Sequence, residues 1–167
     1  MKDKKVRKLV FSALLAALVT VATLVVKIPS PTNGYVNLGD CFVLLAGWLL
    51  GPWYGGAAAG IGAMLSDLLS GYAYYAPATL LIKGLDAMVA ALLYRSLSGR
   101  RGALIFSGIA GELLMTAGYF GYTALLLGKG LAAALSIPGN LIQGGIGILV
   151  AILLMHVAKR AYLTEKL

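Results

Sequence analysis

Long apolar runs alternate with short breaks of glycine, proline or charge along the whole chain. The runs predict six helices, at 8–27, 39–51, 54–71, 77–96, 102–127 and 138–160. A straight helix needs about 20 residues to span a bilayer, so the second is short and the third marginal. Short helices at membrane depth are tolerated where protein covers their ends. The pattern predicts an all-α membrane protein of six transmembrane helices, in one domain over residues 1–167.

The composition agrees with a bilayer as the surrounding solvent. The chain is 60% hydrophobic and 12% charged, whereas soluble domains carry about 25% charged residues. The start resembles a signal peptide, because the basic stretch "MKDKKVRK" precedes an apolar run from Leu9 to Val26. That run exceeds the usual apolar length of about 7–15 residues, which favours a retained first helix.

The net charge of +8 is concentrated in breaks on one predicted side of the membrane. "MKDKKVRK" and "YRSLSGRR" hold eight of the fourteen Lys and Arg residues. Basic loops favour the cytoplasm, so both termini are expected there, in a bacterial or archaeal cell membrane. The loops "IPSPTNGYVNLGD", "SGYAYYAP" and "LGKG" then face outside. We expect no nucleic-acid partner, because such juxtamembrane clusters set topology.

Catalytic and cofactor motifs are missing from the sequence. It contains no G-x-x-x-x-G-K-[ST], H-E-x-x-H, C-x-x-C or G-x-S-x-G, and it has one cysteine and one histidine. A nucleotide site, a zinc site and a hydrolase site are therefore not expected. These absences predict a protein that is not an enzyme, with no catalytic residues, metal or cofactor of its own.

Small residues four apart predict close helix packing at two places. Ala13 and Ala17 lie on the first helix, and Gly56 and Gly60 lie on the third. Such spacing lets helix backbones approach each other in lipid. We expect the glycines to pack within the chain. For the alanines, contact with another subunit is equally open.

Ionisable residues inside predicted spans suggest function, because they are costly in lipid. Each has a structural alternative. Asp40 could cap the second helix, Lys83 could pair with Asp86, and Asn140 could cap the sixth helix. Glu112 needs a partner, for which Lys83 is the obvious candidate. The tyrosines could be interfacial belt residues.

Most of these polar and aromatic residues lie in the predicted outer half of the bundle. Amides, one cation, acids and tyrosines together suit a small, planar, polar ligand in an extracellular-side pocket. The first outer loop would close over it. Its Asn33 and Gly34 form a turn from which Tyr35 and Asn37 reach the ligand.

Several of these segments resemble one transporter family. "NLGD", "GPWYG", "SDLLSGY" and "PATLLIKGL", with the alanine motif, are similar to the substrate-binding S components of energy-coupling factor (ECF) vitamin transporters. The resemblance covers nearly the whole chain and favours the riboflavin-transporter-like branch, which includes pyridoxine and hydroxymethylpyrimidine carriers.

The resemblance implies an S-component bundle that binds a vitamin outside and works with a transmembrane T component and two cytosolic ATPases, which consume ATP. It implies that Ala13 and Ala17 dock the T component. With depth and chemistry, it points to ligand contacts from Asn37, Tyr75, Lys83, Glu112, Tyr119, Asn140 and Gln143. The expected cargo is a pyridoxine- or hydroxymethylpyrimidine-like compound, with riboflavin next. A lone channel or secondary carrier that uses Lys83, Asp86 and Glu112 as an ion or proton path stays open; a membrane enzyme is least favoured.

Overall fold

The computed structural model describes residues 2–29 and 35–161. Its elements, in chain order, are α1 (Lys2–Val25), β1 (Lys27–Pro29), β2 (Tyr35–Asn37), α2 (Asp40–Leu50), α3 (Pro52–Leu69), α4 (Ala76–Ser96), α5 (Ala103–Gly121), a π-helical turn (Tyr122–Leu126), a 3-10 segment (Gly130–Ser136) and α6 (Ile137–Arg160). Apart from β1 and β2, the fold is helical.

Within the described residues, four helical segments are long and apolar enough to cross a membrane. They are Lys4–Val25, Ala76–Ser96, Ala103–Leu126 and Gly130–Arg160. The apolar α2 is shorter, with 11 residues. Large hydrophobic side chains such as Phe106, Leu149 and Leu153 are exposed on the bundle surface. In a bilayer these apolar side chains contact the lipid tails and not water.

The structure differs from the predicted elements in three places. Helix α1 begins at Lys2, not at residue 8, because lysine and arginine are good helix formers at an exposed end. The fifth helix is not regular over 102–127, since it widens into a π turn at Tyr122. The predicted fold class omitted a short antiparallel pair, in which Lys27 lies opposite Asn37.

Glycines bring the helix backbones together. A Cβ atom at Gly60 would lie 2.5 Å from the carbonyl oxygen of Leu80, and one at Gly56 would lie 3.0 Å from that of Gly84. Helices α3 and α4 therefore pack backbone against backbone, which confirms that this G-x-x-x-G pair serves packing within the chain. Between α2 and α3, Gly51 adopts a φ of 85° and precedes a helix that starts at Pro52. This pair makes the sharp break between the two helices.

Basic and aromatic residues gather at one end of the bundle. The Lys8 ammonium lies 6.0 Å from the ring centre of Tyr54, and the Lys159 ammonium lies 5.8 Å from that of Tyr94. The start of α1, the start of α3 and the ends of α4 and α6 therefore meet there. The opposite end contains the end of α1 and the start of α2, and it holds the candidate site.

Candidate functional site

A cavity lies at the end of the bundle away from the basic residues. About 70 Å³ of it is open to the centres of water molecules. Its walls come from the ends of α1 and α3, the starts of α2, α4 and α6, strand β2 and the last turns around α5. Six of the seven predicted ligand residues line it: Asn37, Tyr75, Lys83, Tyr119, Asn140 and Gln143. Their contact with a ligand stays a prediction.

Lys83 forms an ion pair with Asp40 at the floor of this cavity. The side chains are only 4% and 1% exposed, so the pair is shielded from water. The predicted partners of Lys83, Glu112 and Asp86, are therefore wrong. The start of α2 lies against α4, so Asp40 reaches the ammonium although it is 43 positions away in sequence.

The capping alternatives for Asp40 and Asn140 are also wrong. Helix α2 is capped by Gly39 without a side-chain hydrogen bond, and the Asp40 carboxylate turns inward to Lys83. Helix α6 starts at Ile137 after a Ser136 cap, so Asn140 already lies within its first turn. Both side chains border the cavity instead.

A chain of hydrogen bonds connects the ion pair to the outer strand. The Gln143 amide donates to the second Asp40 oxygen at 2.7 Å. Its own oxygen accepts from the backbone N–H of Asn37 at 2.8 Å. The Asn37 side-chain oxygen accepts from the Gly39 N–H at 2.8 Å and from the Thr23 hydroxyl at 3.3 Å. These hydrogen bonds hold β2 against α6, α2 and α1 at the mouth of the cavity.

Tyrosines form one wall of the site. The ring centre of Tyr75 lies 4.8 Å from that of Tyr74, 5.5 Å from that of Tyr122 and 6.4 Å from that of Tyr119. The Tyr75 hydroxyl lies 3.3 Å from that of Thr123, which the π turn brings inward. Tyr75 is 9% exposed, so it is no interfacial belt residue.

Tyr119 connects this wall to the floor. Its hydroxyl donates to the Thr79 hydroxyl at 3.1 Å. The Lys83 ammonium lies 5.8 Å from its ring centre, within range of a cation–π contact. The Lys83 ammonium thus contacts both Asp40 at the floor and the Tyr119 ring in the wall, and Thr79 orients that ring.

Glu112 does not line the cavity, in contrast to the other predicted ligand residues. It lies deeper, where a carboxylate oxygen from each of Asp40, Asp86 and Glu112 falls within 4.8 Å of the others. Counting residues along a helix predicts the depth of a side chain but not its rotation about the helix axis. The predicted burial of Glu112 is therefore confirmed, whereas its predicted partner Lys83 is wrong.

Part of the predicted closing loop lies outside the described residues. This applies to Asn33 and Gly34. The backbone of Tyr35 is described, and it pairs with Pro29. The described stems of the loop are therefore held together by the β1–β2 pairing, directly beside the Asn37 network.

Ala13 and Ala17 are exposed on α1 and do not line the cavity. Ala13 borders an apolar groove between α1 and α3, which also includes Leu9, Ile61 and Trp53. The Trp53 side chain is 76% exposed. This surface provides small residues for a close approach and a large apolar side chain beside them.

Three threonines that line the cavity are not among the predicted ligand residues: Thr23, Thr79 and Thr123. The sequence does not single them out, because a hydroxyl in a membrane helix can also donate to its own backbone, as that of Thr20 does to Ala16. Asp40 is among the ionisable residues that the sequence singles out but not among the predicted ligand contacts, and the structure places it at the cavity.

Comparisons with known proteins agree with a helical membrane protein that has a ligand cavity. A family model described as "ECF-type riboflavin transporter, S component" matches residues 3–160. An uncharacterized protein in the gap 3' region of Pyrococcus woesei is 34% identical over 137 residues, covering 77% of this chain and 91% of that protein. A solved structure, "Structure and mechanism of the S component of a bacterial ECF transporter", has a TM-score of 0.72 with 24% identity, covering 95% of this chain and 98% of that one. The structural likeness shows the fold, and the nearly full-length family match shows that the chain belongs to the S components of ECF-type transporters.

Proposed function

We propose that this S component binds a small single-ring vitamin or vitamin precursor, of the pyridoxine or hydroxymethylpyrimidine type, for import. The observation that carries this proposal is the size of the cavity, with about 70 Å³ open to water centres. This small volume favours a single substituted ring over a fused three-ring compound, which would need the lining side chains to move apart.

The chemistry of the lining supports the same class of ligand. Tyr75 and Tyr119 offer aromatic faces, and Asn140 adds an amide that can donate and accept. The ammonium of Lys83 is already neutralised by Asp40. Among the described lining residues there is therefore no further cation for a phosphate ester, which favours a neutral polar ring with hydroxyl arms as the ligand.

Riboflavin is the second candidate, favoured by the description of the matching family model. Its longer ring system would need side chains at the mouth of the cavity to move apart. The two candidates therefore differ in the rearrangement that they require, and a direct comparison of affinities separates them.

The two ends of the bundle support a proposed membrane orientation. Basic residues favour the cytoplasmic side, and Lys8 and Lys159 lie at the end opposite the cavity. We place both termini in the cytoplasm and the cavity mouth outside. A transmembrane T component and two cytosolic ATPases would then complete the importer, with the exposed Ala13 and Ala17 as the docking surface on α1. Family membership favours this arrangement over a channel that acts alone.

Ligand titration of the detergent-purified chain tests the proposed cargo. We expect pyridoxine or hydroxymethylpyrimidine to bind at least tenfold more tightly than riboflavin by calorimetry. Asn140→Ala should weaken that binding, and Gly145→Ala is the matched control, because nothing lies within 4 Å of a Cβ atom there. Tighter binding of riboflavin would overturn the single-ring assignment. Binding of none of these compounds would count against the whole class.

Substitution by bulky residues on α1 tests the proposed docking surface. We expect Ala13→Trp and Ala17→Trp to abolish uptake in cells that contain the T component and ATPases, with ligand affinity unchanged. Val25→Trp is the control, since Val25 is also exposed on α1 but lies at its other end. Loss of ligand binding in the alanine variants, or uptake at the normal rate, would refute docking through this face.

A further inference from the structure

Three acidic side chains from three helices converge beneath the ligand cavity. Asp40 comes from α2, Asp86 from α4 and Glu112 from α5. One carboxylate oxygen of each lies within 4.8 Å of the others. All three residues are buried, with 0%, 0% and 4% of their surfaces exposed. Like charges at such distances repel strongly out of water.

Glycines make room for this cluster. A Cβ atom at Gly111 would lie 2.4 Å from an Asp86 oxygen, and one at Gly144 would lie 2.9 Å from a Glu112 oxygen. Any other residue at these positions would displace the Asp86 or the Glu112 side chain. Neighbouring helices thus leave space for the carboxylates and not for side chains.

A second observation concerns the hydrogen bonding of the acids. Among the described residues, no donor reaches either oxygen of Asp86 or either oxygen of Glu112. Buried carboxylates without a partner are very costly. The one positive charge of Lys83, which is paired with Asp40, can balance only one of the three acids. Two negative charges therefore remain unbalanced, and among the described residues neither Asp86 nor Glu112 has a hydrogen-bond donor.

We propose that Asp40, Asp86 and Glu112 bind one divalent cation of the hard, oxygen-preferring class, such as Ca²⁺ or Mg²⁺. Carboxylate oxygens are the ligands that these ions prefer. Two oxygens on one Ca²⁺, at about 2.3–2.6 Å each, lie up to roughly 5.2 Å apart, and two on one Mg²⁺, at about 2.0–2.1 Å each, up to roughly 4.2 Å. The limit of 4.8 Å therefore fits Ca²⁺ directly, whereas Mg²⁺ would draw the oxygens slightly together. Two positive charges also balance the two acids that Lys83 leaves uncompensated.

The acidic cluster adjoins the ligand cavity, because Asp40 belongs to the cluster and also lines that cavity. Movement of the buried Lys83–Asp40 ion pair would admit a cation from the cavity to Asp86 and Glu112 behind it. Once bound, it ties α2, α4 and α5 together under the ligand. This inference concerns the scaffold and holds whichever vitamin the site takes.

The test uses the full chain in detergent, stripped with a chelator and without vitamin. Calorimetric titrations with CaCl₂ and with MgCl₂ are run at constant ionic strength. We expect saturation at one cation per chain with at least one of the two salts, and a rise in the melting temperature that NaCl does not produce. Glu112→Gln and Asp86→Asn should each weaken this binding at least tenfold. Asp67→Asn is the matched control, because it removes a buried acid outside the cluster and should leave cation binding unchanged.

Two results would overturn the proposal. The first is the lack of saturable binding by the unmutated chain with both salts, which would mean that the acids are neutralised by protons. The second is a Glu112→Gln or Asp86→Asn chain that folds and binds the cation as tightly as the unmutated chain. The titration of the unmutated chain decides the matter even if a variant fails to fold.

Discussion

The buried ion pair between Lys83 and Asp40 supports a quantitative prediction for Lys83→Met. Methionine preserves the length and apolar stem of the side chain but leaves the Asp40 carboxylate without its cation. Removing one partner of a buried pair costs about 3–5 kcal/mol. The low exposure of the two side chains, 4% and 1%, places this pair in the buried class. We therefore expect Lys83→Met to lower the free energy of unfolding by about 3–5 kcal/mol.

The double variant Lys83→Met with Asp40→Asn separates the charge from the shape. Asparagine removes the uncompensated charge and keeps an oxygen for the Gln143 amide, which donates to this position at 2.7 Å. Replacing both partners by neutral groups is often close to neutral. The double variant should therefore recover roughly 2–3 kcal/mol relative to Lys83→Met alone.

The assay is equilibrium unfolding of the purified chain in a mild detergent with increasing SDS, followed by far-ultraviolet circular dichroism. A chelator is present throughout, so that no divalent cation compensates the acids. If Lys83→Met falls within about 1 kcal/mol of the unmutated chain, the pair is not buried as described. If the two substitutions are simply additive, charge compensation is not what connects these residues.

Two further substitutions test the packing and the hydrogen-bond chain. Gly60→Ala places a methyl group 2.5 Å from the Leu80 carbonyl oxygen, and should cost about 1–3 kcal/mol in the same unfolding assay, whereas Gly145→Ala, in open space, should change little. Equal effects of the two would show that α3 and α4 are not in backbone contact. Gln143→Leu removes the acceptor of the Asn37 N–H, which lies 2.8 Å away, and should weaken ligand binding at least tenfold by calorimetry. Unchanged affinity would mean that β2 needs no fixed position for binding.

The sequence predicted the helices and the end of the bundle that holds the cavity because both depend on distance along the chain. Apolar runs fix where α4 begins and ends, and the depth of Lys83 follows by counting residues from Pro77. The choice of partner depends on rotation about the helix axis and on which helices are neighbours. For Lys83, an acid three positions away and one on α5 looked as suitable as Asp40, which the fold selects.

Local backbone features were missed for a different reason. The β1–β2 pairing involves only three residues on each side, too few for an alternating pattern. The π turn consists of "YTALL", which reads as ordinary helix. The acidic cluster combines residues from three helices, with glycines opposite two of them. The three acids come together only when the helices pack, so no spacing in the sequence predicts the cluster.

The π turn at Tyr122–Leu126 has a consequence for how such a site could change between relatives. Each α-helical residue turns the chain by about 100°, and a π turn accommodates extra chain within the helix. Deleting one residue there would return the segment to regular helix and rotate Thr123 away from the Tyr75 hydroxyl, 3.3 Å from its own. No other lining residue would be substituted, but the shape of the aromatic wall would change. A single insertion or deletion, and not only a substitution, is therefore a route to a new cargo in this fold.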